Sequence, residues 1–138
     1  MKLARFLLIG FVLLVSGSFI GFDTCEDIGS AIRSGDSKQL ASYFANTIDL
    51  TIINKEDNYS KTQAELIVRD FFSKNPPKSF TMVHKGTSKE GTLYGIGTLT
   101  STKGVNFRTS FYAKKSGEKY FIQELRFETE QEVTPPKQ

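Results

Sequence analysis

Any chemistry in this chain has to start from very few side chains. His84 is the single histidine and Cys25 the single cysteine. A histidine acting as general base needs a proton path and, as a rule, a carboxylate that orients it. Asp49, Asp70 and Glu124 are the candidate partners. His84 alternates with Phe80 and Met82 along Ser79–Lys85, so it is expected on the apolar side of its strand with them. Cys25 is followed directly by Glu26 and Asp27, whose charges oppose thiolate formation. It is therefore expected as a small side chain on a helix face, not as a nucleophile. One His and one Cys far apart have no metal-ligand spacing, and neither a metal nor a cofactor is expected. The chain has no Gly-x-Ser-x-Gly turn. Gly95-Ile96-Gly97 lies inside a strand-like run and signals a bend or bulge, not a phosphate loop. Arg108 and Glu124 are expected as a cross-strand ion pair.

The elements that must position these residues are legible as patterns. Ser79–Lys85, Thr92–Thr100, Val105–Lys115 and Lys119–Glu128 are strand-like runs. Ser88-Lys89-Glu90-Gly91, Lys103-Gly104 and Ser116-Gly117 separate them, which predicts hairpins and a meandering antiparallel sheet. Upstream, Thr24 with Asp27 predicts a helix start, and Cys25, Ile28, Ala31 and Ile32 share its buried face. Gly35 ends that helix, and Asp36 or Ser37 caps a second containing Leu40, Ala41, Tyr43 and Phe44. Thr47–Ile53 alternates as a strand and Asn54–Tyr59 reads as a polar loop. Ser60-Lys61-Thr62-Gln63 is a capping box opening a third helix, stopped by Asn75-Pro76-Pro77. The fold class expected is α+β, with three N-terminal helices packed on a curved antiparallel sheet.

Strand phasing then assigns faces. Val105, Phe107, Phe111 and Ala113, with Phe121, Leu125 and Phe127, form a Phe-rich face expected against the helices. Each buried Phe contributes about 1.5–3 kcal/mol, so several in one phase hold the register. The opposite face collects Tyr94, Ile96, Arg108, Tyr112, Tyr120 and Ile122, with Glu124 and Arg126 among them. Aromatic and Arg side chains on an outer sheet face suit a protein interface, so a homodimer through this face is expected. The plain alternative is an amphipathic outer face that meets water.

Composition bounds the remaining possibilities. The 138 residues suffice for one core. Lys2 and Arg5, the apolar run Phe6–Val15 and the small residues Ser16-Gly17-Ser18 predict a signal peptide cleaved after Ser18, with Phe22 as the outer limit. An uncleaved anchor is the alternative, and would be the chain's one membrane contact. With the two signal-segment cations gone, 16 basic residues remain against 15 acidic ones, which gives no field for nucleic acid. Phe22 and Thr24 before Cys25 do not suit lipid attachment. A domain over 23–128 and a disordered tail over 129–138 complete the layout. The expected location is periplasmic or secreted.

The order helix, helix, strand, helix, four strands, with Ala31-Ile32-Arg33-Ser34-Gly35-Asp36, Leu40-Ala41-Ser42-Tyr43-Phe44 and Ile48-Asp49-Leu50, resembles nuclear transport factor 2-like domains, also described as cystatin-like. Within them, Tyr59–Glu65, Val68-Arg69-Asp70-Phe71-Phe72, His84-Lys85-Gly86 and Glu124-Leu125-Arg126-Phe127 resemble a family of exported bacterial proteins known as a domain of unknown function. The resemblance implies a cone-shaped fold and export, and no particular activity. Enzymes of this fold place acids, His or Tyr inside the cone. By that analogy Phe71, Phe80, Met82 and His84 are the candidate contacts for a small apolar ligand. An epoxide-hydrolase-like arrangement would require Arg108 to face inward, against its phase. The function expected is a non-catalytic ligand-binding or interaction module; the alternative is a small hydrolase or isomerase using His84 with an acid.

Overall fold

The computed structural model describes residues 20–130, with side chains from Thr24 onward. The expected cleavage site after Ser18 and the segment 131–138 lie outside the described residues. The elements run α1 (Ile20–Ser34), α2 (Ser37–Ala41), β1 (Phe44–Ile52), β2 (Lys55–Ser60), α3 (Lys61–Lys74), β3 (Pro77–Thr87), β4 (Thr92–Ser101), β5 (Asn106–Ser116) and β6 (Lys119–Thr129). The strands form a six-stranded sheet in the order β2-β1-β6-β5-β4-β3.

Local chemistry explains most boundaries. Gly35 adopts φ 66° just past α1, a conformation that costs glycine nothing. Asp36 caps α2 by accepting from the Gln39 amide at 3.0 Å. Ser60 and Gln63 exchange the two bonds of the capping box at the start of α3. α1 is already helical at Ile20, so Thr24 lies inside it and not at its cap.

Four sequence expectations need correction. Asn54–Tyr59 is not a loop: β2 pairs with β1 from Ile52↔Lys55 to Thr47↔Ser60. An edge strand exposed at every residue but Tyr59 needs no apolar alternation, which is why its sequence reads as a loop. Phe44 opens β1 and does not extend α2, because the Ile122 amide bonds the Tyr43 carbonyl at 2.7 Å and draws this segment onto β6. That β1–β6 pair is parallel, so the sheet is mixed and not purely antiparallel. Finally, β6 extends through Thr129, opposite Phe107, and the Glu130 amide bonds the Asn106 carbonyl at 3.0 Å. Ordered structure thus continues beyond the expected start of the tail.

The helices cover one face of the sheet. Ile28, Ala31 and Ile32 of α1, Leu40 of α2, and Ala64, Val68, Phe71 and Phe72 of α3 meet Leu93, Leu99, Phe107, Phe111, Leu125 and Phe127. Phe71 is central, with ring centroids 4.7 Å from Phe127 and 5.1 Å from Phe107. Gly95 and Gly97 face inward under the rings of Phe111 and Phe80, where a Cβ would collide. They make room for large rings in a densely packed interior.

Two bulges reset the phase of the sheet. In β3, Met82 pairs with Gly97 and His84 with Ile96, leaving Val83 extra. In β6, Glu124 pairs with Tyr112 and Ile122 with Ala113, leaving Gln123 extra. N-terminal to Gln123, alternation is inverted. Ile122 is fully buried, Tyr120 packs against the core, and Phe121 turns to the other side. Ile122→Ala is expected to lower unfolding stability by about 2–5 kcal/mol. Ile96→Ala costs only a small part of that. Chemical denaturation of both variants checks the assignment, and equal costs would contradict it.

Candidate functional site

The outer face, away from the helices, is organised as rows across the strands. One row crosses the whole sheet: Glu56, Thr51, Arg126, Ser110, Ile96 and His84 are successive register partners from β2 to β3. Beside it runs the row Asp49, Glu124, Tyr112, Tyr94, Gly86. On the other side stand Glu128, Arg108, Thr98 and Thr81. Each of these side chains shares the face because register partners point to the same side of a sheet.

The small Ser110 leaves a depression at the centre of this grid. It is a groove of about 300 Å³ lined by Tyr94, Ile96, Ser110, Tyr112, Glu124 and Arg126, with Phe111 below. A second depression of about 260 Å³ lies across Ile96, between Val83, His84, Thr98, Arg108 and Glu130. Val83 is 58 % exposed, Tyr94 41 % and Tyr112 37 %, so the walls are apolar and aromatic surfaces open to solvent. The Tyr94 ring lies over Gly86, where a Cβ would meet it at 2.9 Å. Glycine at that position lets the ring lie flat along the edge of the face.

One end of the groove is electrostatically braced. Arg126 lies 3.2 Å from Glu124, 3.5 Å from Glu128 and 3.6 Å from Glu56. Glu124 and Glu128 are two residues either side of Arg126 on the same strand face, and Glu56 reaches across β1 above the buried Thr51. Arg126 Nε is enclosed and makes no hydrogen bond; it meets Glu128 only as an ion pair at 3.5 Å. The cluster carries more acid than base. Arg108, by contrast, makes no ion pair among the described residues, and its register partner is Glu128, not Glu124. The expected Arg108–Glu124 pair is therefore corrected: the Gln123 bulge and the register it sets place Tyr112 opposite Glu124.

Of the six expected interface residues, Tyr94, Ile96, Arg108 and Tyr112 come together here. Tyr120 and Ile122 do not, because the Gln123 bulge turns them toward the core. His84 does not enter the cone. The Val83 bulge moves it to the outer face beside Ile96, away from Phe80 and Met82. Its three conceivable carboxylate partners are engaged elsewhere: Asp49 with Asn58 at 2.8 Å, Asp70 with Lys74 at 3.0 Å, and Glu124 with Arg126. Phe71 and Phe80 are core residues and Met82 packs against that core, so these ligand candidates serve as filling. Sequence phasing puts Glu124 and Arg126 on this outer face, but it missed Val83 and Glu56. The Glu124-Arg126-Glu128 alternation was readable, but Glu56 was hidden by taking β2 as a loop.

On the helix side, Cys25 is buried and its thiol donates to the Tyr94 carbonyl at 3.6 Å. Burial pushes the thiol up to about 11, helped by Glu26 and opposed by Lys85, so it stays protonated at neutral pH. Lys85 bonds Glu26 at 2.5 Å and holds its carboxyl below the usual carboxylate range. Among the described residues no group of three or more His, Cys, Asp or Glu is placed to hold a metal ion. Nor is any of their helices long and apolar enough to cross a membrane.

Comparison with known proteins places this architecture. The family model described as Domain of unknown function (DUF4783) matches residues 25–128. The chain belongs to the DUF4783 family. Among solved structures, the DUF4783 protein of Bacteroides uniformis shares 31 % identity over 78 % of this chain and 97 % of its own, with TM-score 0.72. The DUF4783 protein of Bacteroides ovatus shares 30 % identity over 77 % and 94 %, with TM-score 0.71. A nuclear transport factor 2-like protein of unknown function from Shewanella baltica, 13 % identical over 82 % and 93 %, matches with TM-score 0.61 and shows the fold alone. No curated protein matches the chain. The nuclear transport factor 2-like α+β fold of this DUF4783 member is thus shown, as is its membership of a family of unknown function.

The Glu26–Lys85 pair gives a pH dependence with a fixed sign. Glu26 is depressed, so its share of stability is present above the ordinary carboxylate value of 4.5 and is lost as pH falls through the lowered one. Lys85 is raised, so its share is present below 10.5 and is lost as pH rises through the raised value. Glu26→Gln is expected to reduce stability at neutral pH and to match the parent protein in acid. Denaturation midpoints across pH measure this, and a gap that persists in acid would contradict it.

Proposed function

We propose that this DUF4783 protein is an exported, non-catalytic interaction module that pairs with a second copy of itself through the outer face of its sheet. The supporting observation is the gathering of Tyr94, Ile96, Tyr112 and Arg108 on one open face, with Val83 and His84 beside them. Aromatic and Arg side chains around an accessible depression are the groups that anchor protein interfaces.

Two further observations favour this over a ligand held in the cone. The interior is occupied by Phe71, Phe72, Phe107, Phe111 and Phe127. His84 stands outside it, which removes the geometry that a hydrolase or isomerase built on His84 would require. Self-pairing suits the face because it carries both partners of a polar contact. A two-fold axis along the His84–Ile96–Ser110–Arg126 row would set Tyr112 of one copy toward Arg108 of the other and stack Ile96 on itself. Export rests on the basic start at Lys2 and Arg5 and the apolar run Phe6–Val15.

Light scattering over a range of protein concentrations is the test. The parent protein is expected as a dimer, Tyr112→Glu and Ile96→Glu as folded monomers, and His84→Ala as a dimer. A parent that stays monomeric at every concentration, or a dimer that survives both Glu variants, would defeat the proposal. Native mass spectrometry of the same sample adds the other arm: a monomer carrying a small molecule would move the function to ligand binding.

A further inference from the structure

Past β6 the chain is drawn over the outer face. The Glu130 amide bonds the Asn106 carbonyl beside β5 at 3.0 Å, and the Glu130 carboxylate reaches past β5 to accept from Thr98 Oγ1 of β4 at 3.0 Å. Thr98 faces outward with its register partner Arg108, so Glu130 forms a wall of the depression of about 260 Å³ beside Val83, His84 and Ile96. The residues that follow suit this depression. Glu132 offers an acid, and Val133, Pro135 and Pro136 offer apolar surface. The depression offers the complement, with Val83 and Ile96 apolar and Arg108 without an ion pair among the described residues. The register partner of Arg108 on β6, Glu128, is engaged by Arg126. Reach is ample. Ile96 lies two residues along β4 from Thr98, about 7 Å, and Tyr94 lies four, about 13 Å. The segment 131–138 extends to about 26 Å.

We propose that the segment 131–136 folds back as a strap over the outer face of its own sheet, with Glu132 on Arg108 and with Val133 and Pro135 against Val83 and Ile96. A carboxylate on a guanidinium is a strong charge-assisted contact and fixes the register of the strap. Pro135 and Pro136 hold an extended course and lose little freedom on docking. Glu130, tied to Thr98, starts the strap at the rim of the depression. The strap covers part of the surface proposed for self-pairing, so it competes with a second copy. The docking itself needs no second copy; only the competition rests on the self-pairing reading. Because both copies must open before they pair, a strap docked half of the time weakens pairing about fourfold.

NMR of the full chain reads the docking directly. Nuclear Overhauser contacts are expected from Val133 and Pro135 to Val83 and Ile96, and a mixture of labelled and unlabelled chains should assign them to a single copy. Arg108→Glu is expected to abolish them, and adding Glu132→Arg to bring them back, which a general disturbance of the fold would not do. A segment 131–136 without contacts to this face, contacts made only between two copies, or a charge exchange that fails to restore them would overturn the proposal. Light scattering reads the competition: Glu132→Arg alone is expected to bring dimers at a concentration about fourfold lower or less. Strap contacts with an unmoved midpoint would overturn the competition. Strap contacts in a chain that never dimerises would uphold the strap and defeat self-pairing alone.

Discussion

A β-strand can give only alternate residues to the core, so every other choice in this sheet depends on where that alternation is interrupted. Without the extra residue at Gln123, Leu125 and Phe127 could not share a face with Ile122. Without the one at Val83, His84 would follow Phe80 and Met82 inward. Each bulge shifts the side-chain phase by one position, and a one-residue shift exchanges the two faces. The continuous apolar side, from Phe80 through Leu99, Phe107 and Phe127 to Leu50, exists because those two interruptions lie where they do. The outer face is their complement. Its row from Glu56 to His84 stays in line across six strands for the same reason.

This also marks what was legible beforehand. β4 has no interruption, and within β5 the side chains alternate without a break, so simple period-two phasing put Tyr94, Ile96, Arg108 and Tyr112 outside and Phe107 and Phe111 inside. The capping box at Ser60 and the turn at Gly35 are local chemistry and needed no tertiary information. Bulges are different. Their cause is a long-range fit: Ile122 must reach both Ala113 and Phe44, and no local signal at Gln123 announces it. β2 escaped for a related reason. Its polar sequence carries no burial pattern, and its pairing depends on the alternation of β1 beside it. The parallel β1–β6 contact joins the first and last long strands, a relation that neighbouring residues do not encode.

Charge is distributed by the same logic. The face around Arg126 gathers Glu56 from β2 and Glu124 and Glu128 from β6, strands that lie one on each side of β1. Ion pairs this exposed add little to stability, about 0–1 kcal/mol each. Their larger effect is on what the face accepts. An acid-rich end beside an aromatic groove and a cation at Arg108 give the surface a polarity, and polarity restricts which surfaces can lie against it. On the other side of the sheet, Arg33 and Glu26 bind α1 to β3 through polar contacts at the border of the core.

The Phe-filled interior carries a consequence for where function can reside. In a fold that encloses a cone, a ligand site needs volume, and volume costs stability because each missing side chain removes packing contacts. Here the rings of Phe107 and Phe127 lie 5.1 Å and 4.7 Å from that of Phe71, and Gly95 and Gly97 exist to admit still more aromatic volume. Such packing favours a rigid sheet, and a rigid sheet holds its outer side chains at fixed spacing. The small residues of that outer face, Ser110 and Gly86, are placed where they open a groove between the tyrosines and keep Tyr94 flat along its edge. Filling the inside and sculpting the outside are therefore two parts of one arrangement, in which the core fixes the positions from which the surface makes contact.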